Sequence, residues 1–243
     1  MIVAAAVCPH PPLLLRETTG LADVAADLRW ACRNAVERLL AARPDVVVVV
    51  GADGPLVTSS SFAPTRCPSP DDQGPPDDQG PPDDQGGTTG LRGEHPARPL
   101  SLFVGARMLG DAGWRGPSVF EPVSADAPPS DCASLGNRLS GVPRRTALLV
   151  MGDGTARRGP KAPGYVDDRA PAFDAEVLDA LRTANVQQLL KLEPAVAREL
   201  LAMGRAPWQV LAGALGGGSW ASADVLYADD PFGVHYVVCT WGF

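Results

Sequence analysis

The stretch Arg43-Pro44-Asp45-Val46-Val47-Val48-Val49-Val50-Gly51-Ala52-Asp53-Gly54 decides the fold class. Pro44 ends any helix before it, because it removes a backbone donor and clashes with the preceding turn. The five valines that follow are β-branched, with no polar residue among them. A half-exposed strand alternates apolar and polar side chains. A run that is apolar at every position belongs to a strand covered on both faces, as in a parallel sheet between two layers of helices.

Working outward, Ile2 to Val7 and Thr146 to Met151 have the same character. Between the first two strands, Leu21, Val24, Leu28, Ala31, Ala35 and Leu39 recur at helical spacing and predict a helix over Leu21 to Ala42. Leu100 to Leu109 reads as a short strand running into a helix, and Asp131 to Leu139 as a helix. Phe173 to Thr183, Val186 to Leu190 and Pro194 to Met203 follow as helices, the last with Pro in its first turn. Pro207 to Leu215 continues with helical apolar character, and Gly216-Gly217-Gly218 turns the chain into two final strands, Ala223 to Tyr227 and Val234 to Thr240. The expected fold is therefore α/β: a three-layer αβα single domain over residues 1–243, around a central mostly parallel or mixed sheet.

One segment breaks this pattern. Pro-Asp-Asp-Gln-Gly-Pro runs from Pro70 to Pro75, repeats from Pro76 to Pro81, and recurs from Pro82 with Gly87 as its last residue. Proline, glycine and like charges cannot bury a core, so residues 64–93 are predicted to be a low-complexity, disordered acidic insertion. Deleting Pro70 to Gly87 should leave the thermal midpoint unchanged; a large drop would show that the segment belongs to the folded body.

Composition narrows the function classes. With 243 residues, 45% apolar and 20% charged, the chain has enough core-forming residues for one globular domain. No apolar run approaches the roughly 18 to 20 residues of a membrane span, and Met1 to Val7 is too short and lacks the basic flank of a signal peptide. Six of the acidic residues are the repeat's Asp71, Asp72, Asp77, Asp78, Asp83 and Asp84, so the body outside the repeat is nearly neutral. Without a basic cluster, nucleic-acid binding is not expected. Cysteines 8, 32, 67, 132 and 239 have neither zinc spacing nor the density of a disulfide scaffold, so a reducing cytoplasm is the expected compartment.

Ligands in open α/β sheets bind beyond the carboxyl ends of the strands. Those positions hold Cys8-Pro9-His10-Pro11-Pro12, Gly51-Ala52-Asp53-Gly54-Pro55 and Gly152-Asp153-Gly154-Thr155-Ala156-Arg157-Arg158. The flanking prolines fix where His10 points, which suits a ligand or acid/base role; a hydrogen-bonded loop histidine is the alternative. Asp53 and Asp153 lie in Gly-flanked turns, where aspartate is also common as a backbone-bonding turn residue. Together, His10, Asp53 and Asp153 would make an oxygen-rich site for a divalent metal. Cys8 closes an apolar strand and reads as a buried, inert thiol. His95 reads as a loop histidine, and His235 as an outward-facing strand residue. No phosphate loop, dinucleotide fingerprint or G-x-S-x-G elbow is present.

The first strand with His10-Pro11-Pro12, the valine run into Gly51, the turn Gly152-Asp153-Gly154, and Met203-Gly204-Arg205-Ala206-Pro207 before an apolar helix resemble the class III extradiol ring-cleavage dioxygenase superfamily, with its Memo-like relatives. The resemblance spans the chain apart from the acidic repeat, and is closest to an actinobacterial-type branch. It implies a non-haem ferrous ion held by two histidines and a carboxylate, a further acid/base histidine, and a catechol-type substrate cleaved with dioxygen; in the Memo-like branch a cysteine is the third ligand. His10 matches the first histidine. Asp53 stands in the place of the second, Met203 in that of the cysteine, and Thr155-Ala156-Arg157 in that of the acid/base histidine.

The expected metal ligands are thus His10 and Asp53, with Asp153 as third ligand, as a partner that orients the histidine, or as a candidate catalytic group. Arg157 or Arg158 would hold an anionic or aromatic ligand, since a guanidinium fork captures carboxylates but cannot shuttle protons. The readings carried forward are a dioxygenase-like protein with a divergent Fe(II) pocket, a metal-free ligand-binding or regulatory homologue, and a repurposed metal-dependent hydrolase. The sequence leaves a homo-oligomer open.

Overall fold

The protein is described by a computed structural model covering residues 1–19, 23–54, 56–57, 97–216 and 222–242. The predicted insertion 64–93 lies outside these residues, as does His95.

Six strands form the main sheet: β1 (Ile2–Cys8), β2 (Val46–Ala52), β5 (Ser118–Val123), β6 (Thr146–Met151), β7 (Ser222–Asp229) and β8 (Tyr236–Gly242). Their order across it is β5-β2-β6-β1-β8-β7. A separate two-stranded ribbon pairs β3 (Leu56–Val57) with β4 (Arg98–Pro99). β5, β2, β6 and β1 run parallel, while β8 and β7 are antiparallel additions, so the sheet is mixed. All residues of β1, β2 and β6 are buried, which is the state their unbroken apolar runs require.

The pleat sends alternate residues into two cores. Ala4, Ala6, Val47, Val49, Leu149 and Met151 pack under α2 (Ala26–Ala41) and α3 (Leu100–Asp111). Ala5, Val7, Val48, Val50, Leu148 and Val150 pack under α4 (Pro129–Ser140), α5 (Ala170–Arg182) and α8 (Arg205–Leu215). The result is the expected α/β arrangement, with helices on both faces of the sheet. A 3-10 turn at Pro12–Leu14 and short helices α1 (Arg16–Thr19), α6 (Val186–Leu190) and α7 (Pro194–Glu199) complete the described elements.

Several element bounds differ from the sequence reading, and Leu100 to Leu109 is helical from its first residue, with no strand inside it. α7 stops at Glu199, short of the predicted Met203, because Leu201 takes a left-handed φ of 57° that no α-helix tolerates. α2 begins at Ala26, and Val24 before it is exposed. β5 is a strand that the apolar pattern does not announce. It pairs on one side only, with β2, and as an edge strand it is short, partly exposed and able to carry Pro122.

Candidate functional site

The parallel strands end on one edge of the sheet, and the chain there is stitched by main-chain bonds. Gly152 N–H donates to the Cys8 carbonyl (2.9 Å), Gly154 N–H to the His235 carbonyl (2.8 Å), and His235 N–H to the Thr155 carbonyl (2.9 Å). The turn after β6 is therefore fixed between the end of β1 and the residue that precedes β8. Only glycine fits at two of its positions. A Cβ on Gly152 would lie 2.5 Å from Gly204 Cα, and one on Gly154 would lie 2.8 Å from both an Asp174 oxygen and the His235 carbonyl.

On this edge two histidines each face a carboxylate. The His10 N–H donates to Asp153 Oδ1 at 2.8 Å, and the His10 Nδ1 atom stands 3.6 Å from the same oxygen. His235 Nδ1 stands 3.5 Å from Asp174 Oδ1. Asp174 also accepts from the Thr155 N–H (2.9 Å) and hydroxyl (2.6 Å), and Arg158 Nε lies 3.7 Å from its second oxygen. His10, His235, Thr155 and Asp174 are all buried. In both rings the buried Nδ1 atom has no hydrogen-bond partner among the described residues. Each imidazole thus has a carboxylate oxygen beside its Nδ1, at 3.6 Å for His10 and 3.5 Å for His235.

Of the other expected residues, Arg158 stands beside the His235–Asp174 pair, while Asp53 and Arg157 make their contacts elsewhere. Asp53 is exposed, and its Oδ1 accepts the Ala125 N–H at 2.9 Å, holding the loop after β5. Arg158 donates to Asp230 Oδ2 at 2.6 Å, so its charge is already matched. Arg157 donates to the Tyr165 carbonyl at 3.0 Å. Among the described residues no three His, Cys, Asp or Glu gather closely enough to hold a metal ion. The ligand set His10, Asp53 and Asp153 is therefore not assembled: Asp153 serves the His10 loop and Asp53 a different one. These residues do not fit a three-ligand ferrous centre, and no chemical step is derived through one.

No family model and no curated protein matches the chain. An uncharacterized protein from Escherichia coli K12 superimposes on it with a TM-score of 0.52, at 15% identity, over 98% of this chain and 99% of that one. That likeness is one of fold: it carries the α/β architecture across the full length.

Within that architecture the two histidines stand differently against their sequence reading. His10 is where the prolines predict, buried at a strand end. His235 is not an outward-facing strand residue; it precedes β8 and is enclosed against Asp174. Asp174 escapes the sequence reading, although it falls on the buried stripe of α5 with Ala170, Phe173, Val177 and Leu181. A lone acid on an apolar helical stripe is the signal that marks it. The segment singled out around Met203 does reach the site, since Gly204 N–H donates to the Asp153 carbonyl at 2.8 Å.

Tyr236 adds a donor. Burial pushes its phenol far above the usual range, and Asp153 and Tyr227 raise it further, so it stays protonated at any ordinary pH. Cys8 and Cys239 are both buried, and burial raises the Cys239 thiol well out of the nucleophilic range. The edge therefore offers two buried imidazoles with a neutral phenol nearby, and the Cys239 thiol is not activated. Across the described residues no helix is long and apolar enough to cross a membrane.

Proposed function

We propose that this protein is a divergent extradiol dioxygenase-like protein that binds a small anionic or aromatic ligand at its strand ends through His10, without a three-ligand iron centre. The observation that carries the reading is the His10–Asp153 unit. Pro9 and Pro11 restrict the backbone, Asp153 holds the loop N–H at 2.8 Å, and the same carboxylate faces Nδ1. Orientation of this kind is what a ligand-binding or proton-transferring imidazole needs. A cytoplasmic location agrees with cysteines that lack disulfide spacing.

The ring-cleavage reading is the second, favoured by the carboxylate behind Nδ1, which is also how proteins orient metal-bound histidines. Elemental analysis of protein purified without oxygen, before and after adding ferrous iron, separates the two. The expected result is substoichiometric metal in both wild type and His10→Ala. Stoichiometric metal in the wild type that His10→Ala loses would overturn the metal-free reading and call for oxygen-uptake assays on catechols.

A further inference from the structure

A groove away from the strand ends is lined by cationic and aromatic side chains. It encloses about 560 Å³ between α3, β4 and β5, within the range of small-molecule sites. Among the described residues its lining includes Arg98, Arg107, Arg115, Trp114, Phe120 and one acid, Asp111, and none of His10, Asp153, His235 or Asp174.

The charges are poised unequally. Arg107 is matched by Glu17 at 2.9 Å. Arg115 Nη1 donates to the Gly110 and Trp114 carbonyls, at 3.4 and 3.0 Å, which aims the guanidinium but leaves its charge without a carboxylate among the described residues. Arg98 likewise has no carboxylate among the described residues and lies over the Phe120 ring, 4.2 Å from its centroid.

One aromatic wall is fixed as well. Trp114 Nε1–H donates to Ser118 Oγ at 3.1 Å, and Gly116 leaves the space its ring occupies, since a Cβ there would stand 2.3 Å from a ring carbon. Two guanidiniums without a carboxylate among the described residues, beside the anchored Trp114 ring, suit a planar ring that carries an anionic group. The ring stacks on carbon and the anion takes the donor forks. We propose that this groove binds a small aromatic carboxylate, as a second site separate from His10.

The test is calorimetric titration of the full chain with phthalate, alongside acetate, inorganic phosphate and benzyl alcohol. Arg98→Gln and Arg115→Gln are run in parallel after their melting temperatures have been matched to wild type. The expected result is saturable phthalate binding that each variant weakens by about tenfold, the worth of one charged hydrogen bond. Acetate and benzyl alcohol, each with half of the recognised chemistry, should bind at least about tenfold more weakly than phthalate. Absent phthalate binding, or binding indifferent to both substitutions, overturns the proposal. Phosphate binding as tightly as phthalate overturns its aromatic part. Binding that His10→Ala abolishes while Arg98→Gln spares it would place the ligand at the strand ends and also overturn the second site.

Discussion

Asp174→Ala should lower the free energy of unfolding by about 3 kcal/mol, read as a fall in the urea midpoint at constant slope. The size follows from what the carboxylate holds. Its two oxygens accept the Thr155 N–H and hydroxyl, face His235 at 3.5 Å, and lie 3.7 Å from Arg158. Removing one partner from a buried charged network commonly costs about 3 to 5 kcal/mol, because the groups left behind stay desolvated. The low end applies here, since Arg158 keeps its 2.6 Å bond to Asp230. Asp174→Asn retains an acceptor for the Thr155 N–H and should lose clearly less. If alanine at this position costs under about 1 kcal/mol, the network is surface-like and its ion pairs are solvated.

This network also explains which parts of the site are legible in the sequence. His10 can be found because its signals are local: a strand ends and prolines flank the ring. The pairing of His235 with Asp174 is not local, since 61 positions separate them and the contact forms only when α5 packs on the sheet beside β8. Alternation within Val234 to Thr240 suggests an outward ring, but the strand begins one residue after His235, so the alternation rule does not apply to it. Asp53 misleads for a related reason. A turn aspartate reads the same whether it serves a ligand or a neighbouring loop, and here it serves the Ala125 N–H.

The fold is legible where burial is symmetrical. β1, β2 and β6 are enclosed on both faces, and three apolar runs announce them. Among the described residues β5 sits at the sheet's edge, where one row of backbone groups has no strand partner and Glu121 and Pro122 are tolerated. Its sequence, Ser-Val-Phe-Glu-Pro-Val, lacks the continuous run that identifies the others. The antiparallel direction of β8 and β7 is likewise silent, because a strand's own residues do not encode the direction of its neighbour.

Gly136→Ala and Gly213→Ala should each destabilise the protein by about 2 kcal/mol or more, even though alanine is the better helix former by about 1 kcal/mol. The reason is the crossing of α4 and α8. A Cβ on Gly136 would stand 2.1 Å from the Val210 carbonyl oxygen, and one on Gly213 would stand 2.3 Å from the Ala133 carbonyl oxygen. The obstructing atoms are backbone, so no rotamer change relieves the clash, and the helices must separate. Separation opens the core that Cys132, Leu139, Val210 and Ala214 share beneath the sheet. Because both substitutions force the same separation, the double variant should cost less than the sum of the singles. Gly110→Ala supplies the control. It lies in α3 with nothing within 4 Å of the new methyl, so it should be neutral or stabilising by up to about 1 kcal/mol. Denaturation midpoints that rank all three variants alike would mean that α4 and α8 do not touch at these glycines. The opposite signs expected here are a consequence of close backbone approach alone.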